Sequence, residues 1–249
     1  EAFQRDMMNL TLRRPVNTSV ELSPKIPRDV LFELPFPTTL EVIDHLLFAY
    51  LDETRKPSHA YFVLDVSGSM EGQRLFDLQQ AMLNLTGLDT SITGQFARFR
   101  DRERITLITF SEFVSDERSF EIELSDQESF VEVRRFVGDL HAGGSTSIYG
   151  ALIHAYTLAA RAREDDPERY YSIVLMSDGE NTSGPDMQKF IDFYIGLSED
   201  ARNIPTFTVL FGDASVQEMS TLAEVTGGRL FDATTHSLSG IFKQIRGYQ

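Results

Sequence analysis

The residues best suited to chemistry are oxygen donors gathered in three short loops. Asp65-Val66-Ser67-Gly68-Ser69 places a carboxylate and two hydroxyls at alternate positions, with Gly68 free to bend tightly between them. Gly143-Gly144-Ser145-Thr146-Ser147 supplies further hydroxyls after a flexible glycine pair, and Ser177-Asp178-Gly179-Glu180-Asn181 adds a second carboxylate. Each loop also has an ordinary reading. Serine or threonine in the first two could cap a helix, and Asp-Gly usually marks a turn. Alone, the Asp-x-Ser-x-Ser spacing arises by chance roughly one time in eight in such a chain. Together the loops say more. Two carboxylates sharing one site repel each other unless one is protonated or a cation lies between them. With no His or Cys at the core positions, the donor set is all oxygen. That set suits a hard ion, Mg²⁺, Mn²⁺ or Ca²⁺, rather than zinc.

Such a site exists only if the chain brings the loops together, and the hydrophobic pattern indicates how. From His59 onward, short apolar runs cover Ala60–Leu64, Ile105–Phe110, Tyr171–Met176, Thr206–Phe211 and Arg229–Phe231. Continuous runs of this kind indicate strands buried on both faces of a parallel sheet. Ser119–Leu124 alternates apolar and acidic residues, as an edge strand with one wet face does. Helical stretches fall between the runs, at about 74–99, 148–162, 186–198, 216–226 and 238–246. The alternation predicts a doubly wound three-layer α/β/α sandwich, mostly parallel, with one antiparallel edge strand. Ligands on such sheets bind beyond the carboxyl ends of the strands. Asp65 ends one run and Asp178 follows another, so both belong at that edge.

The first 57 residues read differently and hold most of the nine prolines. No helical period is sustained from Arg14 to Pro37. A capping-box pattern at Thr38 and Glu41 then opens a helix with Leu40, Ile43, Leu47, Tyr50 and Leu51 on one face. Residues 1–57 are therefore expected as a proline-rich arm and 58–248 as the main domain. The arm holds too little apolar material to fold alone.

Composition narrows the function. The 249 residues carry 38 acidic and 23 basic side chains, a formal charge of −15 that repels phosphate backbones. Nucleic acid is excluded as a natural partner on that ground. The absence of cysteine removes disulfides and thiolate metal sites. No apolar run is long enough to span a bilayer. The chain opens at Glu1 with no leader pattern, as a processed product or excised segment does. There is no Gly-x-Ser-x-Gly elbow, no His-Glu-x-x-His pair and no Walker loop, and the five histidines are scattered.

Asp65-Val66-Ser67-Gly68-Ser69, Thr146 after Gly144-Ser145, and Asp178 in Ser177-Asp178-Gly179 resemble the metal-ion-dependent adhesion site of von Willebrand factor type A domains. The order and the strand-end settings match, and the resemblance covers about His59 to Tyr248. It implies Ser67, Ser69 and Thr146 as direct ligands, with Asp65 and Asp178 acting directly or through water. One coordination position stays open for an Asp or Glu of a protein partner. A non-enzymatic, Mg²⁺- or Mn²⁺-dependent binding domain follows, of bacterial origin and displayed outside the cytoplasm. The resemblance also admits a subunit of an ATP-driven assembly such as a metal chelatase. Glu33-Leu34-Pro35-Phe36-Pro37 is similar to bacterial proteins that fuse a solute-binding-like region to such a domain, which makes the arm the tail of an upstream module. In relatives with regulated affinity the last helix shifts; here Leu238, Ile241, Phe242 and Ile245 form an apolar stripe on it.

Overall fold

The first apolar run forms the strand β1 (Ser58–Asp65), in which every residue is buried. Only a strand covered on both faces accommodates that pattern. The computed structural model describes residues 2–11, 14–15, 17, 19–26, 42, 49, 55–125, 127–212 and 216–248. They fall in two compact units, Glu1–Leu46 and Leu47–Gln249.

In the second unit, β1 is joined by β2 (Arg104–Phe110), β3 (Val114–Glu121), β4 (Tyr170–Ser177), β5 (Thr206–Leu210) and β6 (Leu230–Asp232). The sheet order is β3-β2-β1-β4-β5-β6. All neighbours pair in parallel except β2 with β3, the expected antiparallel edge. The helices in chain order are α1 (Ala2–Thr11) in the first unit, then α2 (Gln73–Leu83), α3 (Ile92–Ala97), α4 (Gln127–Gly138), α5 (Ile148–Asp165), α6 (Met187–Ile195), α7 (Glu199–Arg202), α8 (Val216–Val225) and α9 (Leu238–Arg246). Alternate β1 residues feed two cores. Ala60, Phe62 and Leu64 pack with α2, α4 and α9, while Tyr61 and Val63 pack with α5, α6 and α8. Helices on both faces of one sheet give three layers. Among the described residues no helix is long and apolar enough to cross a membrane.

Two readings from the sequence need correction. The helix expected over 74–99 is broken. It leaves α2 through a π-turn at Asn84–Leu88, where Gly87 takes φ 92°, and restarts at α3 with Ser91 accepting from the Gly94 amide. A positive φ is the conformation glycine supplies without steric cost. The edge strand runs over Val114–Glu121 rather than 119–124, because its register is set by pairing to β2 and not by its own alternation. In the first unit, α1 was not suggested by the prolines that follow it; its Met8 packs against Val20, Ile26 and Leu22. The helix expected from Thr38 to Leu51 lies outside the described residues, apart from Val42 and Ala49.

Candidate metal centre

The sheet order reverses at β1, whose neighbours are β2 on one side and β4 on the other. A crevice opens at the carboxyl edge of such a switch point. Leu64 stands beside Met176 in the register, which sets Asp65 level with Ser177 and one residue from Asp178. The three loops are stitched together at this edge by backbone and side-chain bonds. Gly68 N–H donates to the Gly144 carbonyl at 2.9 Å, and Gly143 N–H donates to that of Val66 at 2.8 Å. A Cβ on Gly68 would lie 3.3 Å from the Gly144 oxygen, so this glycine serves the close approach of two backbones. The third loop reaches the second through its side chains. Thr182 Oγ1 accepts from the Thr146 amide and Asn181 Oδ1 from the Ile148 amide, each at 2.9 Å.

This stitching removes the ordinary explanation for the hydroxyls. Ser67 makes no side-chain cap on the short 3₁₀ turn after it, and Gly72, not a serine, occupies the N-cap of α2. Ser147 at the N-cap of α5 makes no side-chain cap either, since Asn181 satisfies that helix from across the crevice. Ser67 Oγ and Ser69 Oγ instead lie 3.1 Å apart. Thr146 has both backbone groups engaged, its carbonyl accepting from the Thr182 and Ser183 amides, so the hydroxyl is what it has left to offer. Asp65, Ser67, Thr146 and Asp178 are buried, and Ser69 stands at the exposed rim. The structure thus gathers all five sequence-predicted residues at one edge.

The two carboxylates are held in different ways. Asp65 Oδ1 accepts from the Ser67 amide at 2.8 Å and Oδ2 from the Ser177 hydroxyl at 2.5 Å. Ser177 Oγ in turn accepts from the Gly179 amide at 3.0 Å, which fixes its direction. Burial pushes the Asp65 carboxyl up to about 6, against the pull of the Ser177 and Ser67 hydrogen bonds; the nearby Asp178 charge adds to the rise. Asp178 Oδ2 accepts from Arg74 Nη1 at 2.9 Å, whereas Asp178 Oδ1 is buried and has no hydrogen-bond partner among the described residues. An unpartnered buried acceptor costs about 1–3 kcal/mol, so this oxygen is fitted to something else. A divalent cation fits. It would neutralise two close carboxylates and supply the missing partner, with hydroxyls completing an oxygen shell. Among the described residues no three His, Cys, Asp or Glu side chains gather, so the hydroxyls are essential to such a shell.

Reading the sequence missed Ser177 as the support of Asp65 and Arg74 as the partner of Asp178. Ser177 lies within the loop already singled out, so its place beside Asp178 was a usable signal. Arg74 gave none, because its contact joins residues 104 apart in the chain.

Comparison with known proteins bears on the family and the fold. A family model described as von Willebrand factor type A domain matches residues 60–244. The chain is 28% identical to inter-alpha-trypsin inhibitor heavy chain H3 of Homo sapiens over 165 residues, which are 63% of this chain and 17% of that protein. It spans less than a fifth of the length of such curated relatives. Among solved structures, a von Willebrand factor type A protein from Catenulispora acidiphila superposes with a TM-score of 0.56 at 19% identity, covering 76% of this chain and 42% of that one. Proximal thread matrix protein 1 from the mussel byssus, solved with zinc in its metal-ion-dependent adhesion site, gives 0.53 at 16% identity over 76% of this chain and 47% of that one. At these identities the two structures share the fold.

Proposed function

Because the chain belongs to the von Willebrand factor type A family, we propose that residues 58–248 form a metal-dependent protein-binding domain, with 1–57 an arm outside it. Asp65, Ser67, Ser69, Thr146 and Asp178 hold one divalent cation, Mg²⁺ or Mn²⁺ by preference, and a partner's Asp or Glu carboxylate completes its shell. The observation that carries this reading is the buried, unpartnered Asp178 Oδ1 beside a second buried carboxylate. The exposed Ser69 rim leaves the shell approachable from solvent. The bound ion supplies the electrophile; the chain's own residues orient its donors and exclude water from their buried side.

The reading is of a binding domain and not an enzyme. Among the described residues no imidazole stands with the five donors, and both Asp65 oxygens are held by hydrogen bonds rather than poised to move a proton. We retain display outside the cytoplasm as part of the proposal.

The test is capture of a protein partner on the immobilised chain in Mg²⁺, in EDTA, and with Asp65→Ala in Mg²⁺. The expected result is a partner retained only by wild type with the ion, and released when its contacting Asp or Glu is changed to Ala. Retention that is equal in all three conditions overturns the metal-dependent reading. A partner that is an ATPase places the chain in a motor-driven assembly; a surface or matrix protein places it in adhesion.

A further inference from the structure

We propose that Arg74 is a charge-setting residue of the metal centre, a built-in positive charge that keeps the bound ion under-neutralised. The inference rests on the metal-binding reading above. Arg74 projects from the first turn of α2, and its Nη1 donates both to Asp178 Oδ2 at 2.9 Å and to the Ser69 carbonyl at 3.1 Å. It therefore bridges two of the three loops. A fourth segment closes on it from the end of β5, where a Cβ on Gly212 would lie 3.3 Å from Arg74 Nη2. The space is shaped to the guanidinium.

The contact divides Asp178 in two. One oxygen is spent on Arg74 and the other is left buried and unpartnered. Two carboxylates and one guanidinium leave the centre with a net charge of −1 in place of −2. A divalent cation seated there keeps more of its own charge than two free carboxylates would leave it. Held less tightly by the chain, it has more to gain from an external anionic oxygen. Arg74 is half exposed while the carboxylate it holds is buried, so solvent weakens the effect without abolishing it.

The rival role for the same contact is propping Asp178 in place. The two roles predict opposite signs. Loss of a prop weakens metal binding, whereas loss of a repelling charge strengthens it.

Calorimetric titration of the full chain with Mn²⁺ separates them, using wild type, Arg74→Gln, Arg74→Lys and Asp65→Ala. The expected result is that Arg74→Gln binds Mn²⁺ about three- to tenfold more tightly than wild type, with Arg74→Lys staying near wild type. The ratio between Arg74→Gln and wild type should also narrow as KCl is raised, because a half-exposed charge is screened. A melting curve in EDTA confirms that Arg74→Gln is folded. Unchanged or weaker binding by folded Arg74→Gln overturns the inference and leaves the metal centre standing. If wild type takes up no more Mn²⁺ than Asp65→Ala, the metal centre falls and the inference with it.

Discussion

Asp178→Ala should not destabilise the chain in EDTA, yet should cost it the gain from metal. In the metal-free chain, Asp178 contributes one ion pair with a half-exposed arginine and one buried oxygen that pairs with nothing. The pair is worth about 1 kcal/mol or less at that exposure. The unpartnered oxygen costs about 1–3 kcal/mol in the same state. The two contributions oppose each other and the second is the larger, so truncating the side chain should leave stability unchanged or raise it by up to about 3 kcal/mol. That is unusual for a buried charged residue, whose loss ordinarily costs several kcal/mol. With Mg²⁺ or Mn²⁺ at a hundredfold over its dissociation constant, wild type gains about 2.7 kcal/mol. In a domain of this size that is a rise in melting temperature of about 5–11 °C. The variant, lacking one of two carboxylates, should gain little. The assay is four melting curves, each protein with and without the ion. A drop of more than about 3 kcal/mol for the variant in EDTA would show Asp178 to be structural and refute the reasoning. Equal upward shifts for both proteins would refute it too.

Other consequences of the structure can be checked in the same preparation. Ser177→Ala leaves Asp65 Oδ2 without its donor and the Gly179 amide without its acceptor, both buried, and should cost about 1–3 kcal/mol in urea denaturation. His59, at 4% exposure, hydrogen-bonds to Thr106 and is pushed down to about 3, first by burial and then by Arg104 and Arg169. Its folded value lies below the unfolded one, so its contribution is complete above pH 6.5 and is lost as the pH falls toward 3. By pH 5 the loss is about 2 kcal/mol, and His59→Gln should fall less than wild type between pH 7 and pH 5 by that amount. Glu103→Ala strands Arg246, which otherwise pairs with both carboxylate oxygens while nearly buried; it should cost about 3–5 kcal/mol yet leave the metal-induced rise intact. A metal response that disappears in Glu103→Ala at a temperature where it is folded would contradict the separation of these two sites.

The parts of this molecule legible from its sequence are those dictated by local periodicity. β1, β2 and β4 carry mostly apolar runs and are buried at nearly every position because both faces are covered, and such runs leave no choice of face. Asp65 and Asp178 stood out because a carboxylate at the end of a buried strand has few structural excuses. The extent of β3 was less legible. Its residues 115–119 are exposed and polar, and the pairing to β2 shifts register between Thr109 and Phe110, neither of which local alternation records. The break at Gly87 was hidden because a glycine within a helical period is often tolerated, and only the φ of 92° reveals the turn. α4 escaped notice although Phe130, Val133, Phe136 and Val137 line its buried face, because the charged residues between them dilute the pattern. Arg74 could not have been found locally at all. Its meaning is the charge of a residue brought to it by the fold.

The fastening of α9 bears on whether metal binding moves this helix. Ser239 near its start donates to Asp89 at 2.6 Å, and Arg246 at its end donates to the Ala97 carbonyl at 2.8 Å as well as to Glu103. Ile241, Phe242 and Ile245 are buried between these ends, so the apolar stripe is core packing. Sliding the helix along its axis separates Arg246 from Glu103, a step that costs about 3–5 kcal/mol before any apolar contact is lost. A ligand shifts an equilibrium only by its differential affinity for the two states. Metal at a hundredfold over its dissociation constant supplies at most about 2.7 kcal/mol, and only if it binds the shifted state alone. At that concentration the ion does not drive α9 out of this position unaided. A shift of that helix would need either a partner contributing the difference or a new site for the Arg246 guanidinium.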